Sequence, residues 1–325
     1  MSFLQSPYHI SSHGRSFDPV WSVSGNTIAI GTNAISSHWG GGAGFGDNTD
    51  AMAFQWNVSE SYNGSTWATA PTLPSSHRGS AQGAGTTSAG IAMNDSNVFG
   101  YGGSNPVSEW NGTAWSSGPG THSGNGCRGS ATAGTATACY YAAGNDGTGI
   151  GNNFHYNPNF HEYNGIAWAT GGSCLSGLGF VLHSKSGPCG TQTAGLMVGG
   201  YWGQSNGSGG AANWGNANRT EEYNGTSSAY GGTLTHPRVG HWQVGSQTNA
   251  YACFGSNTTA GSRITEKYDG NTWSITTFAI TAPAGATGLG QEQPGCGSTS
   301  TGFGMSIDRE HPLVAAVAQT DNFSP

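Results

Sequence analysis

Apolar residues in this chain gather in runs of three or four, each led by a glycine and hydroxyl-bearing residues. Ile91-Ala92-Met93 follows Gly85-Thr86-Thr87-Ser88, and Cys139-Tyr140-Tyr141 follows Gly134-Thr135-Ala136-Thr137. Leu196-Met197-Val198 follows Gly190-Thr191-Gln192-Thr193, and Tyr251-Ala252-Cys253-Phe254 follows Gly245-Ser246-Gln247-Thr248. Phe303-Gly304-Met305 follows Gly297-Ser298-Thr299-Ser300, and Gly25-Asn26-Thr27 before Ile28-Ala29-Ile30 makes a further copy. Runs this short, flanked by glycine and β-formers, predict strands rather than helices. Each glycine-led turn is expected to join the two strands of an inner hairpin, where small residues suit strands crowded toward a central axis.

Between these units lies a second repeat, an aromatic residue, Asn-Gly or Asp-Gly, and then a tryptophan. It reads Tyr62-Asn63-Gly64-Ser65-Thr66-Trp67, Trp110-Asn111-Gly112-Thr113-Ala114-Trp115, Tyr163-Asn164-Gly165-Ile166-Ala167-Trp168 and Tyr268-Asp269-Gly270-Asn271-Thr272-Trp273. Tyr223-Asn224-Gly225-Thr226-Ser227-Ser228 is a copy without the tryptophan. Asn-Gly and Asp-Gly favour the type I′ turn of a two-residue hairpin. That register sets Tyr62 opposite Ser65 and Glu60 opposite Trp67, with the two aromatic rings as diagonal neighbours. The five copies are spaced 48, 53, 60 and 45 residues apart, which marks a repeat architecture.

A period near 50 with four strands per unit is the signature of a β-propeller. Composition agrees: 57 of 325 residues are glycine, charged residues make up 8% and aromatics 11%. The aromatic content separates the chain from disordered sequences of similarly low charge. Nine basic residues and a net charge of −7 disfavour a nucleic-acid surface. The first residues lack a basic and apolar leader, and no apolar run approaches the ~20 residues that span a bilayer. The six cysteines show no zinc-ligand spacing, so they are expected to be free core residues.

The repeats resemble the kelch family. The likeness is carried by Leu73-Pro74, Arg78-Gly79-Ser80, Gly102-Gly103, Glu109-Trp110 and Trp115, and by Thr233-Leu234-Thr235-His236-Pro237-Arg238 with Gly255, Tyr268 and Trp273. Gly199-Gly200 marks another copy, while Gly144-Asn145 and the Ser at 228 depart from the pattern. The resemblance implies an all-β, six-bladed kelch-like β-propeller of four-stranded antiparallel blades over 15–306. Six inner turns against five outer ones leave one blade to be finished by the terminal segments, 1–14 or 307–325, which otherwise contact a neighbouring subunit. The stretches 40–50, 144–160 and 200–220 are expected to be irregular binding loops.

The particular repeat, Glu-Tyr-Asn-Gly-Thr-x-Trp with Gly-Thr-Gln-Thr-Ala turns, is similar to kelch-like proteins of tailed phages, especially cyanophages. This implies a non-enzymatic virion protein, a capsid decoration or tail-associated component assembled in the host cytoplasm. Its implied partners are other virion proteins, copies of itself and a host-surface glycan, with no cofactor, no nucleic acid and no membrane insertion. Two binding sets are predicted. Arg78, Arg128, Arg238 and Lys185 recur near the start of inner strands and would form an axial basic ring. Trp39, Trp202, Trp214 and Trp242 fall outside the repeat register and would serve as loop aromatics. Two enzymatic readings compete. A sialidase would use the arginines for a carboxylate, and Tyr268–Trp273 is similar to its Asp-box, but there each arginine bonding the backbone of an adjacent blade is the favoured reading. A kelch-type copper oxidase would draw on His155, Tyr156 and His161, whose spacing on a loop carries little specificity.

Overall fold

The computed structural model describes residues 20–24, 27–30, 43–47, 49–75, 77, 82–93, 106–120, 131–142, 158–175, 189–202, 215–238, 241–253, 264–276, 295–296 and 302–305. All of these form strands or their connections, as four-stranded antiparallel blades in a β-propeller arrangement. The chain opens with β1 (Val20–Ser24) and β2 (Thr27–Ile30). Blade I comprises β3 (Ala43–Gly46), β4 (Ala51–Gln55), β5 (Val58–Tyr62) and β6 (Trp67–Ala70). Blade II comprises β7 (Gln82–Thr86), β8 (Ala89–Met93), β9 (Val107–Trp110) and β10 (Trp115–Ser117). Blade III comprises β11 (Ala131–Thr135), β12 (Ala138–Ala142), β13 (Asn159–Tyr163) and β14 (Trp168–Ser173).

Blade IV uses β15 (Cys189–Thr191), β16 (Ala194–Val198), β19 (Thr220–Tyr223) and β20 (Ser228–Tyr230), with a two-stranded excursion, β17 (Tyr201–Trp202) and β18 (Gly215–Asn216), between its second and third strands. Blade V comprises β21 (Trp242–Ser246), β22 (Asn249–Cys253), β23 (Thr265–Tyr268) and β24 (Trp273–Ile275). The last strands are β25 (Gly295–Cys296) and β26 (Gly302–Met305).

Against the six blades expected from the repeats, five are each drawn from one stretch of chain. The remaining four-stranded sheet is composite, in the order β2-β1-β26-β25. In it the hairpin around Gly25 lies outermost, so its expected place as an inner hairpin is corrected. The inner hairpin missing from that count belongs to blade I, and its first strand and turn fall within 40–50, the stretch expected to be irregular. It lacks the Gly-Thr-x-Thr turn. The Asp47 carboxylate instead accepts from the amides of Thr49 (2.8 Å) and Asp50 (3.1 Å). The first strands adjoin in the sequence β3, β7, β11, β15, β21, β25, and β25 returns to lie beside β3. The segments 1–14 and 307–325 lie outside the described residues.

The apolar runs are the second strands of the blades. In β8, β12, β16 and β22 the last four residues are buried consecutively, because both faces of an inner strand are covered by neighbouring blades. The fourth strands β10, β20 and β24 end exposed, as outer edges do. The glycines of strand two mark where an aromatic of the preceding blade fills the space. A Cβ on Gly90 would run into the Phe45 ring, and one on Gly195 would run into the Tyr140 hydroxyl.

The outer turns differ from the type I′ expectation. Only the glycine takes positive φ, from +86° at Gly64 to +95° at Gly270, whereas type I′ needs it at two successive residues. The Asn or Asp side chain holds the turn instead, accepting from the amides two and three residues on; Asn63 takes Ser65 at 3.0 Å and Thr66 at 2.8 Å. The loop is therefore four residues long, and Tyr62 stands directly opposite Trp67. Their ring centroids lie 5.1 Å apart, and the equivalent Tyr163–Trp168 and Tyr268–Trp273 pairs lie 5.0 and 4.9 Å apart.

Two of these tryptophans also reach the preceding blade, at the position three before its aromatic. Trp273 Nε1 donates to Thr220 Oγ1 at 2.8 Å and Trp115 Nε1 to Ser59 Oγ at 3.2 Å. At the seam of blades II and III that position is Val107, which cannot accept, and the buried Trp168 Nε1 has no partner. An orphaned buried donor costs about 1–3 kcal/mol, while the methyl lost in Val107→Thr costs about 0.8 kcal/mol. Val107→Thr is therefore expected to be neutral or stabilising by about 1 kcal/mol, read as the urea midpoint beside Val107→Ala. Equal destabilisation by the two variants would show that the hydroxyl does not reach Trp168.

Candidate functional site

The seams between blades carry the most ordered chemistry in the described residues. The tyrosine of one outer hairpin donates its hydroxyl to the glutamate beside the aromatic of the preceding one. Tyr268 bonds Glu222 at 2.5 Å, Tyr223 bonds Glu162 at 2.8 Å, and Tyr163 bonds Glu109. Each pair latches adjacent blades at a depth where the bond is partly shielded from water. Burial first, then the glutamate, pushes Tyr268 up to about 12. Burial likewise pushes Tyr223 up to about 12, with the Gly172 amide opposing it. The phenols therefore stay protonated donors at neutral pH, and the direction of each bond is set. The amides of Gly172 and Gly232 donate back to Tyr223 (3.1 Å) and Tyr268 (3.3 Å).

Inner turns add a second fastening. Gln192 Nε2 donates to the carbonyls of Cys139 and Tyr163, both at 2.9 Å. Gln247 repeats this on Gly195 at 3.0 Å and Tyr223 at 2.9 Å. One glutamine thus spans the second and third strands of the preceding blade.

The seam between blades I and II departs from this pattern at both latch positions. Register places Ser61 where blades II, III and IV carry Glu109, Glu162 and Glu222. Trp110 stands where the others carry tyrosine, and its Nε1 turns to the Thr87 carbonyl of its own blade at 2.7 Å. A groove of about 660 Å³ opens there, lined among others by Asp50, Ser61, Thr69, Thr87, Trp110 and Asn111. Ala70 and Pro71 supply apolar surface beside the nearly buried Trp110. Asp50 is the only charged side chain among the described residues lining it, and it accepts from the Thr87 hydroxyl across the seam. This groove has no counterpart in the residues singled out from sequence; the signal for it was the simultaneous loss of Glu and Tyr from one seam of the repeat.

Of the expected basic ring, Arg238 is the member whose position is described, and it faces no axial solvent. Its side chain is fully buried, with Nη2 on the Glu266 carboxylate and Nη1 on the carbonyls of Ile264 (2.7 Å) and Ala252 (3.2 Å). Glu266 also accepts from the amides of Thr235 at 2.7 Å and His236 at 3.2 Å. Burial draws the guanidinium down from its ordinary value, and the Glu266 carboxylate opposes that shift. An arginine engaged in this way fastens the loop before blade V, and the axial placement expected for it is corrected. Arg78, Arg128, Lys185, Trp39 and Trp214 lie outside the described residues, as do the side chains of Trp202 and Trp242.

The structural equivalent of Arg238 in blade II is His77 rather than Arg78. Leu73 and Leu234 donate equivalent amide bonds to Asn57 and Asn218, and four residues later come His77 and Arg238. His77 Nε2 lies 2.8 Å from Ser108 Oγ, and Ser108 occupies the place of Glu266. Burial lowers His77 to about 4, so it is neutral where Arg238 is charged. The pair Arg–Glu has been exchanged as a unit for His–Ser, which keeps the buried charge balanced. That spacing from leucine was the sequence signal for it.

Cys139, Cys174, Cys189 and Cys253 are free and buried, and burial pushes Cys139, Cys189 and Cys253 up to about 12, which keeps them protonated. Among the described residues no group of three or more His, Cys, Asp or Glu side chains could hold a metal ion, and no helix is long and apolar enough to cross a membrane.

No protein-family model matches the chain, and no curated protein matches its sequence. Among solved structures it is similar to YjhT, at 10% identity and a TM-score of 0.46, over 73% of this chain and 97% of that one.

Proposed function

We propose that this chain is a non-enzymatic structural and adhesive component of a tailed-phage virion, a capsid decoration or tail-associated protein that touches the host surface. The composite sheet serves as its sixth kelch-like blade and closes the ring by joining the two ends of the propeller. The observation that carries the reading is how the acidic side chains are used. Glu109, Glu162 and Glu222 are held by tyrosines of the next blade, and Glu266 by Arg238 and two amides. Glu221 accepts from the Leu175 amide at 3.0 Å. Carboxylates fastened in this way stiffen a particle component and are withdrawn from acid–base chemistry. The sialidase reading loses Arg238, whose guanidinium is spent on Glu266 and backbone carbonyls.

Immunogold labelling of purified phage particles with antibodies against the propeller tests the assignment. Label on the capsid or tail is expected, with neither bound copper nor turnover of a fluorogenic sialoside. A protein found in the infected-cell lysate and missing from particles by mass spectrometry would overturn the virion role, and turnover would overturn the non-enzymatic one.

A further inference from the structure

We propose that the groove between blades I and II is a binding site for a neutral sugar, a hexose or N-acetylhexosamine unit of a larger glycan. The inference rests on the adhesive part of the function proposed above and assigns it to one seam. The groove is built by substitution at two coupled positions. Three successive seams hold a Glu–Tyr latch, and this seam carries Ser61 and Trp110 in the same register. Loss of one partner alone would leave an unpaired glutamate or phenol at the seam. Loss of both leaves a partly apolar depression with no unpaired glutamate or phenol at the latch positions.

Exposed Pro71 and half-buried Ala70, with the small exposed part of the Trp110 ring, offer an apolar side to the C–H groups of a pyranose. The rim offers hydroxyls of Ser61, Thr69 and Thr113 together with Asn111. Asn111 Oδ1 is engaged by the amides of Thr113 (3.0 Å) and Ala114 (2.9 Å), so its Nδ2 is the end available to donate. Asp50, tethered through Thr87, provides a charged acceptor for ligand hydroxyls. No lysine, arginine or histidine is among the described residues lining the groove, and the Asp50 carboxylate repels anions, so sialic acid, uronates and phosphates are disfavoured. A volume of about 660 Å³ is within the range of small-ligand sites.

The test compares the full chain with Ser61→Glu/Trp110→Tyr, which rebuilds the latch found at the other seams, and with Thr69→Tyr, which adds bulk on an exposed rim residue. Each is applied to an array of neutral oligosaccharides and their sialylated counterparts, after thermal unfolding has confirmed the fold. The full chain is expected to retain neutral glycans in preference to sialylated ones, and both variants to lose at least tenfold in affinity. Absence of neutral-glycan binding, preference for sialylated glycans, or undiminished binding by a folded Thr69→Tyr variant would overturn the proposal. The same proteins are applied to intact host cells. Cell binding that both variants retain would overturn the groove assignment while leaving the adhesive role standing. No cell binding by the full chain, with neutral glycans still retained and lost in the variants, would overturn the adhesive role while supporting the site.

Discussion

Arg238→Ala is expected to destabilise the protein by about 3–5 kcal/mol, as follows when one member of a buried ion pair is removed. The size of the effect comes from what remains. Glu266 is fully buried, and among the described residues it keeps the amides of Thr235 and His236 once the guanidinium is gone. The carbonyls of Ala252 and Ile264 lose a donor at the same time. His236 Nδ1 lies 3.9 Å from the Glu266 carboxylate. Arg238→Met combined with Glu266→Leu should cost far less than Arg238→Ala, because both charges leave together. Urea unfolding at pH 7.5 checks both statements. A loss below about 1 kcal/mol for Arg238→Ala would mean that Glu266 is solvated.

Phe160→Ala is expected to cost about 3–5 kcal/mol by opening a cavity at the seam of blades III and IV. Phe160 is fully buried and lies flat on Tyr223, with ring centroids 3.7 Å apart and an interplanar angle of 7°. It also packs on Tyr140 at 5.3 Å. Its position matches Ser59 and Thr220, which elsewhere accept a bond from the tryptophan of the next blade. Blade IV has Ser228 where that tryptophan would stand, and the Ser228 hydroxyl is buried without a partner. Phe160 thus occupies volume that the missing indole would have filled. Ser228→Trp should clash on its own, and Phe160→Thr should leave a void on its own. Together they should regain stability relative to either alone, giving a favourable coupling in a double-mutant cycle. Additive losses would show that the two sites do not share this space.

The class of fold was readable because its determinants are local. Glycine-led turns, apolar triplets and Asn-Gly hairpins each sit within about ten residues, so their recurrence exposed the blades and the outer hairpins. Blade I's inner hairpin escaped notice because the apolar run Ala51-Met52-Ala53-Phe54 is not led by a Gly-Thr-x-Thr turn; its turn is held by the Asp47 carboxylate instead of a hydroxyl. The composite sheet escaped because its outer hairpin and its inner hairpin come from opposite ends of the propeller. The latches were harder still. Glu109 and Tyr163 are 54 residues apart, and nothing in the spacing of either repeat says that a glutamate faces the next blade's phenol. Arg238 looked like a member of a solvent-facing ring because repeat position alone does not report burial. The groove was latent in the repeats as two substitutions, and became a site only once the register placed Ser61 and Trp110 at the same seam.

A double-mutant cycle of Ser61→Glu and Trp110→Tyr in urea unfolding shows whether this groove exists because one latch is absent. A favourable coupling of about 1.5–3 kcal/mol between the two substitutions is expected, the worth of a hydrogen bond to a charged group. Additive single-variant effects, with no coupling, would contradict it.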